Sequence, residues 1–519
     1  MSNFNKRGLL ASVGALVTVA ALALGGAAAA QASSAKMPDR SGLIITKLEQ
    51  PESSGAAATG LPQESDLPPI AGVTFEAMRV PLLGDPMTNE GRTEIANTTL
   101  ADAQNLVGDA PADRTGVTDA AGEIHWQTSA AAGKKDGEDL EAGLWLVRET
   151  QSPAGVVPAG DFLVGLPLTD PSDRSKWLNT VYVYPKNHTV EGTKEAEDTG
   201  DLSVGSTVTW AITIDNPSPR NTGTGEYGPA DMFRVIDELT EEYLTTPMDG
   251  SGLTVTQPAG LNKGGDYTVN VASTGGKRIV TVDFTAAGLN KIAAVPTQQV
   301  VLKLETLIVK GGVIENSARF YTSETQTDAK EIPGKEIKLG DYALTKKSEG
   351  APAGTTPNLA GAEFMVFSNE EDAIAANNGD QAARERAVRP DVSVPGYDKA
   401  AGTWTTNSDG RVDVIGLRYS GFAEGESFGE GDPRYITYWL VETLSLEGHQ
   451  MLSQPISFII DGDSATQDTQ TIVNQYDRGG FVLPLTGGTG TLLLTLAGLA
   501  LLVTVLAVAR KRSNAHAAE

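Results

Sequence analysis

Two short stretches of this chain carry groups that could form new bonds. The pentapeptide Leu483, Pro484, Leu485, Thr486, Gly487 stands just before an uncharged apolar run, Thr489 to Ala509, which is followed at once by Arg510, Lys511 and Arg512. Far upstream, WLNTVYVYPKN (Trp177 to Asn187) ends an alternating apolar pattern with Pro185 and then offers an amine, Lys186. Proline cannot continue a ladder, so Pro185 should end the strand and leave Lys186 at a domain edge. A free lysine is almost fully charged at pH 7, and only its neutral form is a nucleophile. Chemistry at Lys186 therefore needs a partner that assists deprotonation.

Other chemistries find little support. The four histidines, His125, His188, His449 and His516, form no HExxH pattern, and no GxxxxGK[ST] phosphate loop occurs. Asp461, Asp463 and Asp468 do not have the spacing of an EF-hand loop, so no metal site and no cofactor are expected. With no cysteine, disulfides, lipid-modified cysteines and thiol nucleophiles are ruled out. Forty Lys and Arg against 66 Asp and Glu leave a formal net charge of −26, without a basic run away from the ends. Nucleic acid is thus not an expected partner.

The two ends say where these residues work. Lys6 and Arg7 precede an apolar stretch from Gly8 to Leu24 and the small-residue triplet Ala30, Gln31, Ala32. This is the pattern of a cleaved export signal, so residues 1–32 are set aside and the mature chain is expected to start near Ser33. The C-terminal apolar run is long enough to span a bilayer as a helix, with its basic tail in the cytoplasm. The rest is expected outside the cell.

Between the ends the pattern is β. Val208, Trp210, Ile212 and Ile214 alternate with Thr209, Ala211 and Thr213, while Val181 and Val183 alternate with Tyr182 and Tyr184. Short strands between Gly, Asp, Asn and Pro turns indicate sandwiches. GLIITKLEQ, GVTFEAMRV, TDAAGEI and LWLVRETQSPAG recur in the same order as DYALTKKSE, GAEFMVFSN, TNSDGRV and YWLVETLSLEG. Two homologous domains therefore flank a different middle one. The expected domains are 33–187, 188–335 and 336–480, followed by the terminal signal, 481–519. Helices should be few, with Asn369 to Ala387 the best candidate for a surface insertion.

In this setting LPLTG, apolar span and basic tail together resemble the sortase cell-wall sorting signal. WLNTVYVYPKN resembles the pilin motif of sortase-assembled shaft subunits. The resemblance implies cleavage between Thr486 and Gly487, and transfer of Thr486 to the amine of Lys186 on the next copy.

The repeated domains resemble the B-type immunoglobulin-like domains of Gram-positive surface proteins. There a first-strand lysine bonds to a last-strand asparagine beside a catalytic carboxylate. By that resemblance the sets are Lys346, Asn474 and Glu442 in the C-terminal domain, and Lys194, Asn316 and Asp237 in the middle one. In the first domain they are Lys47, Asn187 and Glu149, with Lys47 chosen by repeat alignment. A one-residue slip would put Lys347 in place of Lys346, because successive strand residues face opposite ways. Burial would lower each lysine's pKa and raise each acid's, so both can be neutral at pH 7, and ammonia leaves as the amide forms.

The whole is thus identified as a member of the sortase-assembled Gram-positive major pilins, an all-β protein of three tandem B-type immunoglobulin-like sandwiches. What this implies is a structural pilus subunit supporting adhesion, not an enzyme on any external substrate. Its implied partners are a pilus-specific sortase, identical subunits, tip or minor pilins, peptidoglycan through a wall-anchoring sortase, and a host surface ligand. A wall-anchored adhesin or ancillary pilin that is not polymerised through Lys186 shares most of these features and stays open as an alternative.

Overall fold

The alternation at Val208, Trp210, Ile212 and Ile214 becomes the strand Thr207–Ile214, with all four apolar side chains fully buried. The same rule, inward at every second residue, builds the sheets throughout. In this computed structural model the described residues are 36–50, 58–130, 133–197, 200, 202–220, 226–462 and 470–477, with 495–496, 498–499 and 501–506. The export signal and Leu483 to Gly487 lie outside them. So does most of the expected membrane span, whose described pieces are helical. Among the described residues no helix is long and apolar enough to cross a membrane.

The chain forms two compact units. One comprises the described residues up to Val190 together with Pro217–Phe233 and Tyr321–Ala329. Its first strand, Arg40–Thr46, lies between Thr180–Val183, which is parallel to it, and Glu123–Trp126, which is antiparallel. A second sheet orders Arg114–Val117, Thr74–Arg79, Gly143–Gln151 and Phe162–Leu166. Leu43, Ile45, Phe75, Trp126, Val147 and Val164 pack together between them. A smaller sheet sets Leu48–Glu49 parallel to Lys186–Thr189, which also pairs with Val156–Val157.

In the other unit the repeat and the middle segment share one 20-residue strand, Lys330–Glu349, which runs unbroken past the boundary expected near Glu336. Its first half pairs with Gly312–Tyr321. Its second half lies between Arg411–Arg418, antiparallel, and Gln470–Gln475, parallel. Gly334 sits in this strand where an added Cβ would meet the backbone of Asn316 at 2.9 Å, so only glycine lets the strands close at that point. The facing sheet of the last domain orders Tyr397–Asp398, Thr403–Thr405, Glu363–Phe367, Tyr438–Leu444 and Ile456–Phe458.

Helices appear where expected, at Glu370–Asn377 and Gln381–Arg384, but also at Asn89–Asn97 and Leu100–Val107. Each pair follows the corresponding strand of its repeat. The first pair covers Met78, Val80 and Leu146, and the second covers Met365, Phe367 and Val441. Threonine side chains cap both helices of the first pair, and Thr99 with Asp102 forms a capping box. The insertion is thus common to both repeats.

Candidate functional site

Burying a lysine is costly unless its ammonium is paired or neutral. Three lysines are nevertheless 0–1 % exposed, each among the other residues assigned to its set.

In the last domain Lys346 lies on Lys330–Glu349, and Asn474 lies on the parallel strand beside it. Glu442 comes from the facing sheet. Lys346 Nζ is 2.5 Å from Asn474 Oδ1 and 2.9 Å from Glu442 Oε1. Asn474 Nδ2 donates to Glu442 Oε1 at 2.8 Å and to Ser445 Oγ at 2.5 Å. Glu442 Oε2 accepts the Leu452 amide at 2.8 Å. Of the two lysines in question Lys346 faces inward, while Lys347 is exposed.

The first domain repeats this plan. Lys47 Nζ donates to Glu149 Oε2 at 2.9 Å, and Asn187 Nδ2 donates to Glu149 Oε1 at 2.6 Å. Here Asn187 Oδ1 has no hydrogen-bond partner. The strand that carries Asn187 again runs parallel beside the lysine's segment.

The middle domain is built differently. Asp237 and Asn316 sit on neighbouring strands of one sheet, Arg234–Thr240 and Gly312–Tyr321, and Lys194 reaches in from the other. Its ammonium contacts Asp237 Oδ2 and donates to the Ser317 carbonyl at 3.2 Å. The buried Asn316 carboxamide makes no hydrogen bond of full geometry. Such a group is rare in a native interior and calls for an explanation.

Burial holds the amines of Lys47, Lys194 and Lys346 below the ordinary lysine value, against the opposing pull of their carboxylates. It pushes the Asp237 carboxyl up, with Lys194 opposing. The Lys194–Asp237 pair is thereby biased toward sharing its proton as a neutral amine and a neutral acid. An aromatic ring floors each amine: Phe75, Trp210 and Phe364 have centroids 5.3, 5.3 and 5.2 Å away. Sequence reasoning passed over these rings as core. The matching Phe in GVTFEAMRV and GAEFMVFSN is the signal that could have marked two of them.

Lys186 has a different environment. Thr180–Val183 ends before Pro185, and a new strand begins at Lys186. Because successive residues alternate, Asn187 turns into the core and Lys186 turns out. It lines an open cleft of about 600 Å³ together with Tyr184, His188, Asp161, Phe162 and Arg220. Thr486 and the rest of LPLTG lie outside the described residues, and no group of His, Asp or Glu able to hold a metal occurs among those described.

Residues 40–188 match the family model described as the N-terminal domain, D1, of a Gram-positive pilin subunit. The chain is 28% identical over 506 residues to a fimbrial subunit type 1 of Actinomyces viscosus, covering 91% of this chain and 90% of the relative. With a fimbrial subunit type 2 of Actinomyces naeslundii it shares 27% over 388 residues, covering 70% and 68%. Among solved structures it resembles the full-length major pilin SpaD of Corynebacterium diphtheriae, with TM-score 0.56 and 22% identity over 85% of this chain and 99% of that one. The major pilin SpaA of Corynebacterium diphtheriae gives TM-score 0.53 and 21% identity over 84% and 100%. These two likenesses show a shared fold.

Proposed function

We propose that the chain is a structural pilus subunit that a sortase polymerises through Thr486 and Lys186, a reading supported by the match of residues 40–188 to a Gram-positive pilin domain and by the 28% identity to a fimbrial subunit type 1 across 91% of the chain. The enzyme cuts the Thr486–Gly487 bond and holds Thr486 as an acyl group. The neutral amine of Lys186 on another copy then attacks that carbonyl, an amide forms, and the enzyme is released. The finished polymer passes to peptidoglycan by the same exchange with a wall-anchoring sortase. It stands outside the cell, beside tip or minor pilins.

The observation that carries this reading is the placement of Lys186. Lys186 is half-buried and lines a cleft while its neighbour Asn187 is 1% exposed, which supports enzyme access to the one and not to the other.

We further propose that the three buried sets form internal Lys–Asn amides without an external enzyme. What supports this is that each amine is desolvated, touches a carboxyl group, and shares its core with the assigned carboxamide. In a chain without cysteine such bonds take the place of disulfides.

The test is Lys186→Ala in the full chain, incubated with the pilus sortase. The parent should give a ladder of covalent multimers and the variant monomer only, with the same internal mass deficit in both. A variant that polymerises like the parent would overturn the assignment of Lys186.

A further inference from the structure

Ser445 lies three residues beyond Glu442 and belongs to none of the assigned sets, yet it touches an atom that must leave if Asn474 is cross-linked. We propose that Ser445 is a positioning residue for the Lys346–Asn474 bond, clasping the departing nitrogen so that the carboxamide presents its oxygen and carbon to the amine. The inference rests on the internal cross-link reading above.

The hydrogen bonds give the reason. Ser445 Oγ donates its own hydrogen to the Gln450 carbonyl at 3.2 Å, so it shows Asn474 only lone pairs. Asn474 Nδ2 directs one hydrogen to that oxygen at 2.5 Å and the other to Glu442 Oε1 at 2.8 Å. With both amide hydrogens taken, Oδ1 is held facing Lys346 Nζ at 2.5 Å. A flipped amide would set Oδ1 against two acceptors and turn its N–H groups toward an amine that must itself attack. One orientation is therefore strongly preferred, and it is the productive one.

The bond changes balance with no added reagent. Lys346 Nζ joins Asn474 Cγ, the Cγ–Nδ2 bond breaks, and nitrogen leaves as ammonia with its two hydrogens and one from the amine, passed by Glu442.

The first domain offers a natural contrast. Its residue at the same spacing, Ser152 after Glu149, is buried where Ser445 is half-buried, its hydroxyl has no partner, and Asn187 is held only through Glu149. The clasp belongs to the last domain.

The experiment starts from the full chain isolated unfolded from inclusion bodies. It is refolded, quenched with acid at intervals, digested, and assayed by mass for the peptide joining Lys346 to Asn474. Ser445→Ala should slow that bond about tenfold, equivalent to losing one hydrogen bond of about 1.4 kcal/mol. Ser445→Thr, which keeps the hydroxyl, should stay within about twofold of the parent, and the Lys47–Asn187 peptide should form at an unchanged rate.

A parent-like rate in Ser445→Ala, or an equal slowing by Ser445→Thr, overturns the inference while leaving the cross-link intact. Absence of the joined peptide from the parent overturns the cross-link reading and this inference with it. A structural role is separated in a Lys346→Ala background, where no bond can form. Adding Ser445→Ala should leave its melting temperature nearly unchanged there, and a large drop overturns the positioning role.

Discussion

Asn474→Ala is the cleanest perturbation of the proposed cross-links, because it removes the acceptor and leaves the ion pair between Lys346 and Glu442 at 2.9 Å. Removing Glu442 instead would strand a buried ammonium and mix two effects. The bond would close a loop between residues 128 apart, for which chain-entropy arguments give about 5 kcal/mol. At about 4 °C per kcal/mol for a domain of this size, the last domain should melt about 20 °C lower in the variant. Hydrogen bonds lost at Glu442 and Ser445 add only about 1 kcal/mol to this. The assay is calorimetry of the full chain beside intact mass, in which the variant's shortfall from its own sequence mass should be smaller than the parent's by one ammonia, about 17 Da. Equal melting and no mass deficit in the parent would refute the reasoning, since the geometry would then be holding an ordinary buried ion pair.

The register gives a second test: Lys346→Ala should restore one ammonia to the mass, while Lys347→Ala, at an exposed position, should leave mass and melting unchanged. Bond formation in the middle domain should follow a bell against pH. Burial lowers Lys194 and raises Asp237, so the pair shares one proton over an intermediate window; below it no free amine exists, above it no acid, and a monotonic rate of ammonia loss would contradict this. Ser152→Ala should be neutral or stabilising by up to about 1 kcal/mol in a thermal melt, because it deletes a buried hydroxyl without a partner, and a clear loss would show that the hydroxyl has work to do.

Much of the fold was legible because strand alternation and a repeated order of motifs are local signals. Val208 to Ile214 announced its strand, and LWLVRET and YWLVET pointed to Glu149 and Glu442 by their matching places. The helices at 89–107 were missed, since they are short and capped by threonines that read equally well as a loop. The shared strand Lys330–Glu349 was also hidden. Pro333 and Gly334 look like a break, but Pro333 is exposed, at a register shift in the pairing with Asn316 and Ala318. That the middle set draws its lysine from the opposite sheet is a matter of topology, and no pattern within the strands encodes it. Ser445 was passed over because its contact with Asn474 is a hydrogen bond across 29 residues, which no local pattern marks.

The order of the assigned residues along the chain decides which bonds would carry load. Tension between Lys186 and Thr486 of one subunit enters the backbone at Lys186 and reaches Lys194 within a few residues. There the proposed amide hands it across to Asn316, bypassing most of the middle sandwich. It continues along Lys330–Glu349 to Lys346, crosses to Asn474, and runs on to Thr486. The stretch before Lys186 hangs outside this path, so the Lys47–Asn187 bond would support the fold of the first domain without bearing tension. Pulling single polymers should show the difference. Asn474→Ala should release the residues between Lys346 and Asn474 when the last domain gives way, extending each subunit by about 420–460 Å at an extended-chain rise of about 3.3–3.6 Å per residue. Asn187→Ala should add no such step. If Asn187→Ala polymers also lengthened by a domain's worth of chain, the load would be entering upstream of Lys186, and that lysine could not be the point of linkage.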